Sequence, residues 1–86
     1  MEVSIDYEQM TALKNRLDQQ TGMVAQVLTT IRGQLANTNW VGPASNRFRE
    51  SWQGDFEPML QRLQQQLDEA SREVMVRRDS IAKAGS

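Results

Sequence analysis

Three acids fall close together near the middle of the chain, Glu50, Asp55 and Glu57. Neighbouring carboxylates are raw material for general acid and base catalysis. They have no helpers, because the 86 residues include no His and no Cys. That removes the usual general base, thiol nucleophiles, zinc thiolates and disulfides together. Carboxylate metal centres in helical bundles draw on Glu-x-x-His pairs, and that motif is closed to this sequence. The three acids therefore read as solvent-facing helix residues, with Asp55 placed to cap a helix locally. No catalytic, cofactor-binding or metal-binding residue is assigned, no cofactor is implied, and the chain reads as non-enzymatic.

Basic residues fare no better as a ligand site. Arg72, Arg77 and Arg78 are interleaved with Asp68, Glu69, Glu73 and Asp79, the pattern of a solvated ion-pair face. Ten basic residues against eleven acidic ones leave a net charge of -1, without the basic footprint of a nucleic-acid binder. Gln19, Gln20 and Gln64, Gln65, Gln66 extend the same polar surface. No stretch reaches the roughly 18 apolar residues that span a bilayer. Glu2 and Asp6 near the start argue against a secretory h-region, so the chain is expected to be made in the cytosol and, if it leaves the cell, to do so without a cleaved leader.

The elements that position these residues are written in the spacing. Met10, Leu13, Leu17, Val24, Val27, Ile31 and Leu35 step by three, four or seven, which is helical and not strand-like. Asp6 with Gln9 three later suits a capping box, and Ile5 with Met10 suits a hydrophobic staple. A first helix is expected over about residues 7–38. Phe48, Trp52, Phe56, Met59, Leu63, Leu67, Ala70, Val74 and Ile81 repeat the pattern, giving a second helix over about 44–82. Acid-before-base pairs four apart, Asp68–Arg72, Glu73–Arg77 and Asp79–Lys83, support it weakly.

Between the two lies Asn37-Thr38-Asn39-Trp40-Val41-Gly42-Pro43, rich in residues that end helices. A turn over about 39–43 is expected, with Pro43 in the first turn of the next helix. At about 1.5 Å per residue each helix is roughly 45 to 60 Å long. Two such helices joined by a short turn make an antiparallel hairpin, one helical domain over residues 1–86. Gly54 and Pro58 are poor in a helix interior and predict a kink near 54–58. Gly22 and Gly33 read as weak spots in preference to the alternative, points of close helix approach.

A hairpin cannot shield all of this apolar surface. Neighbouring pairs such as Met23-Val24, Val27-Leu28 and Met59-Leu60, and the run Val74-Met75-Val76, point about 100° apart and need two partner surfaces. Two-helix units of this size are also marginal folders. The expected architecture is all-α, an antiparallel two-helix hairpin pairing into a dimeric four-helix bundle. Leu13, Leu17, Val24, Val27, Leu28, Ile31, Leu35, Phe56, Met59, Leu63, Leu67 and Val74 are the candidate hairpin and dimer core. A homodimer or a heterodimer with a sibling hairpin would serve equally.

The turn carries the most specific motif, Trp40-Val41-Gly42 followed by Pro43-Ala44, Arg47-Phe48 and Trp52. Gly42 offers a backbone conformation that Trp or Val would adopt at a cost. Trp40 is expected to fold over the hairpin end and seal the core beside Phe48 and Trp52. A Trp-x-Gly tripeptide arises easily, and Trp52-Gln53-Gly54 is a second copy. A turn at the second copy would leave Pro43 inside the first helix and the halves unequal. Taken with length, central position and flanking helices, the motif resembles the Trp-x-Gly (WXG) family of early-secreted-antigen-like proteins of type VII secretion, in particular its actinobacterial branch. The resemblance covers nearly the whole chain, and Trp40 and Gly42 match its motif.

That resemblance implies helical hairpins paired into dimers and export, often as a folded pair, through a membrane ATPase. The family's export signal places Tyr four residues before Asp or Glu near the end of the second helix. Here Met75 precedes Asp79 and the one Tyr is Tyr7, so Met75 and Asp79 are a weak signal candidate. Either a partner carries the signal or this chain does not direct its own export. The leading function is a type VII secretion substrate or co-secreted partner. An intracellular adaptor that binds the helical leader of a larger toxin is the alternative. A membrane-disrupting effector is a lesser one, since the mixed charge argues against a membrane-lying helix. A third class is an assembly scaffold.

Overall fold

The computed structural model describes residues 2–85, with side chains over residues 5–84. Helix α1 runs Glu2–Asn37, α2 runs Pro43–Ser51 and α3 runs Glu57–Gly85, with a π turn over Trp52–Phe56 between the last two. The architecture is an all-α antiparallel hairpin whose second limb is α2, the π turn and α3 in unbroken helical succession.

α1 begins earlier than a cap at Asp6 allows. Asp6 lies within the helix and is exposed, so the expected capping box does not open it. Nothing in Glu2-Val3-Ser4-Ile5 breaks a helix, and acids in the opening turns suit the positive end of the helix dipole. At the other end Asn37 closes α1 and residues 38–42 form the loop. There the Trp40 N–H donates to the Thr38 carbonyl at 2.9 Å and the Asn46 N–H to the Gly42 carbonyl at 3.0 Å. Gly42 precedes α2 with φ 118 and ψ 176, and Pro43 follows in the first turn, where its missing N–H is not needed.

The π turn has a local cause. Pro58 has no N–H to offer the carbonyl of Gly54 one turn back, and in a regular α-helix its ring would press on that carbonyl. The backbone loosens instead, and the Glu57 N–H donates to Trp52, five residues earlier. Because the chain stays helical, Asp55 has no new helix start to cap and is exposed.

The hairpin is a rod of 63 × 18 × 14 Å with a radius of gyration of 19.0 Å. A compact chain of this length would have about 12 Å. Its accessible surface is 6535 Å², where a compact monomer of this mass exposes about 5,200 Å². Among the described residues only Leu28 and Trp52 are buried apolar side chains. The seam between the limbs is otherwise lined by half-buried residues, among them Leu17, Val24, Ile31, Leu35, Leu67 and Val74.

Candidate interaction surface and turn

The turn end is held by two residues that spacing did not single out. Ser45, 1% exposed, donates from Oγ to the Trp40 carbonyl at 2.8 Å. Arg49, one turn further along α2, donates through Nε to Ser45 Oγ at 3.0 Å and through Nη1 to the Leu35 carbonyl at 2.9 Å. Leu35 lies in the last turn of α1, where carbonyls lack helical partners, so Arg49 caps α1 from the opposite limb. Both residues are polar types common on helix surfaces, which is why periodicity passed over them.

The aromatic cluster differs from expectation. Trp52 seals the hairpin end, at 5% exposure, whereas Trp40 is 41% exposed and Phe48 37% exposed. Trp40 and Phe48 pack on each other with centroids 6.0 Å apart and planes tilted by 46°. Trp40 stands in the loop beyond the last turn of α1, so it lies over Phe48 and does not plug the core. Val41 beside it is 80% exposed.

Five of the apolar residues left uncovered along the two limbs share one side of the rod. Taking buried Leu28 as the seam direction on α1, at about 100° per residue Leu13, Val27 and Met23 lie roughly 60°, 100° and 140° to one side. Taking buried Ser71 on α3, Leu63 and Met59 lie roughly 80° and 120° to the same rotational side. In antiparallel helices equal rotations open onto the same face of the hairpin. Leu13, Met23, Val27, Met59 and Leu63, all exposed, therefore form one apolar face, with Phe56 exposed in the π turn at its end. Met23, Val27 and Ile31 line a shallow groove on it with Gln26 and Thr30. Val76, also exposed, lies roughly 140° from Ser71 in the opposite sense.

Polar contacts tie the limbs together along the rod. Ser71 Oγ donates to Asp18 Oδ1, and Lys14 pairs with Asp18 Oδ2, both at 2.5 Å. The hydrogen bond from Lys14, reinforced by that from Ser71, holds the Asp18 carboxyl below its ordinary value of 3.8. Arg32 donates through Nε to Glu57 Oε1 at 2.8 Å. At the open end the Arg78 guanidinium sits 5.4 Å from the Tyr7 ring centroid, joining the start of α1 to the end of α3. Asp68–Arg72 and Glu73–Arg77 form ion pairs on the outer surface of α3 at 3.0 and 3.1 Å.

The three acids of catalytic interest do not converge. Glu57 is occupied by Arg32, while Glu50 and Asp55 are exposed. Among the described residues no cluster of three or more acids could hold a metal ion. No helix of the described residues is long and apolar enough to cross a membrane. Met75 is half-buried, and Asp79 one turn later accepts from Arg78 at 3.3 Å.

A two-limb helical hairpin turning on Trp40-Val41-Gly42 is the setting in which the family pattern carries weight. The pattern for WXG100, proteins of 100 residues with WXG, matches residues 2–85. The chain belongs to the WXG100 family. No curated protein and no solved structure matches it. WXG100 proteins are small helical proteins associated with type VII secretion, typically dimeric with their partners and not known as enzymes. This chain is accordingly a small type VII secretion-associated helical protein.

Proposed function

We propose that this WXG100 protein is a non-enzymatic substrate or co-secreted partner of a type VII system, exported as a folded dimer. The observation that carries the reading is the apolar face of Leu13, Met23, Val27, Met59 and Leu63, left exposed by a hairpin with almost no core of its own. The rod exposes roughly 1,300 Å² more than a compact monomer of its mass. A standard interface removes about 800 Å² per partner, so pairing through this face accounts for a large part of the excess. A second hairpin laid along it makes a four-helix bundle and supplies the second partner surface that the apolar doublets need.

Within that bundle Leu17, Val24, Leu28, Ile31, Leu35, Leu67 and Val74 serve the hairpin seam, and the exposed face serves the dimer. Trp40 and Gly42 lie in the turn and Pro43 opens the helix after it, with Phe48 and Trp52 as the aromatic support. Met75 and Asp79 are ordinary helix residues in this reading, because Met75 is half-buried and Asp79 is engaged by Arg78. Recognition for export then rests on the bundle as presented to the ATPase or on the paired chain.

The test is deletion of the secretion ATPase. The protein should disappear from the culture medium of the deletion strain and persist inside the cells. Absence from the medium of wild-type cells as well would overturn the substrate reading in favour of an intracellular adaptor.

A further inference from the structure

We propose that the recess beside Trp52, on the side of the hairpin away from the apolar face, binds a carboxylate of a protein partner. The recess measures about 210 Å³, and Arg32, Arg49, Trp52, Gln53 and Glu57 contribute to its walls. Two features of its chemistry are unfinished. The Trp52 Nε1–H is buried and finds no acceptor among the described residues, and Trp52 as a whole is only 5% exposed. Buried donors are nearly always satisfied, and an unmet one is costly in a low-dielectric setting.

Arg49 is the second unfinished feature. Its Nε and Nη1 are fixed by the Ser45 hydroxyl and the Leu35 carbonyl, both neutral acceptors. No carboxylate pairs with it among the described residues, whereas Arg32 is neutralised by Glu57 at 2.5 Å. The walls therefore carry one uncompensated positive charge on a half-buried side chain held in a set orientation. A monoanion with hydrogen-bond-accepting oxygens balances that charge and accepts from the guanidinium beside the Trp52 ring. A carboxylate is the protein group with that description, and a guanidinium is its usual partner.

The placement keeps the site open when the apolar face is covered. Arg32 and Ala36 lie roughly 40° and 80° from Leu28 in the sense opposite to Val27, at about 100° per residue. Glu57 lies roughly 40° from Ser71 in the sense opposite to Leu63, which is the same side of the rod. A paired hairpin and a carboxylate-bearing partner would thus occupy different faces. The inference goes beyond the dimer reading and does not depend on it.

The test is a two-dimensional NMR titration of the full chain, following the two indole N–H signals, with Trp40→Phe used to assign that of Trp52. N-acetylglycine stands for a chain-end carboxylate, N-acetylaspartate α-amide for a side-chain carboxylate, and N-acetylglycinamide for the uncharged control. A saturable shift of the Trp52 signal with either carboxylate, absent with the amide, is the expected result. The probe that acts more strongly identifies the source. Glu57→Gln should tighten binding several-fold by releasing Arg32, a gain that mere loosening of the fold would not give. Arg49→Gln should abolish the shift, with helix content checked by circular dichroism. No shift with either carboxylate, an equal shift with the amide, or a stronger one with inorganic phosphate would overturn the proposal.

Discussion

Ser71 and Asp18 meet across the middle of the hairpin, with Ser71 Oγ donating to Asp18 Oδ1 at 2.5 Å and Ser71 itself only 4% exposed. The contact bridges residues 53 positions apart and pins the register of α3 against α1. Lys14 completes it from one turn earlier on α1. The three together make a polar clasp in a seam that has little apolar burial to define it.

The clasp should give the fold an acid-sensitive component. Hydrogen bonds from Lys14 and Ser71 favour the charged carboxylate, so the folded-state value of Asp18 is lowered from 3.8. A lowered value contributes stability that is present above the unfolded value, near 3.9, and lost as pH falls through the folded one. Thermal unfolding followed by circular dichroism should show wild type above Asp18→Asn at neutral pH. The two curves should converge in acid below about pH 4. A constant gap across that range would separate the effect from titration of Asp18.

The apolar face predicts a directional pattern of substitution. Leu63→Asp sets a carboxylate where a second hairpin would cover it, and burying it unpaired is heavily penalised. Light scattering should show loss of the species near twice 9.8 kDa. Val76→Asp introduces the same charge on the other side of α3 and should leave association unchanged. Equal loss from both would place the dimer contact elsewhere.

The exchange of roles between the two tryptophans predicts unequal costs. Trp52→Ala empties a buried site and should destabilise by about 3 to 5 kcal/mol in urea unfolding. Trp40→Ala removes a half-exposed ring packed on Phe48 and should cost about 1 kcal/mol. A reversal of that order would return the sealing role to Trp40.

Helical periodicity made the hairpin legible because apolar spacing of three and four leaves few alternatives, and Asn37 to Pro43 supplied the break. The apolar doublets likewise announced a face that two helices could not cover. The turn's internal bonding was not legible. Ser45 and Arg49 are ordinary surface types in sequence, and only the path of the loop brings the Trp40 and Leu35 carbonyls within their reach. The exposure of Trp40 is not legible for the same reason, since periodicity has no purchase on a residue in a loop. The π turn shows a partial reading: Gly54 and Pro58 signal a disturbance, but residue types alone do not say whether the helix kinks or widens by a residue.

Gly42 and Gly22 should respond to alanine with opposite signs. At Gly42 a Cβ would meet open space, so nothing in the packing forbids a side chain. The backbone does, because φ 118 with ψ 176 lies in a region that is essentially confined to glycine. Gly42→Ala should therefore cost about 1 to 3 kcal/mol without a single steric contact being made. Gly22 lies inside α1, and its Cβ too would meet open space. With ordinary helical backbone, Gly22→Ala should stabilise by about 0.4 to 1 kcal/mol through the unfolded chain. Urea unfolding of the two variants beside wild type separates the explanations. If Gly42→Ala proves neutral, the loop can relax its φ, and the motif glycine is needed for something that approaches the turn from outside.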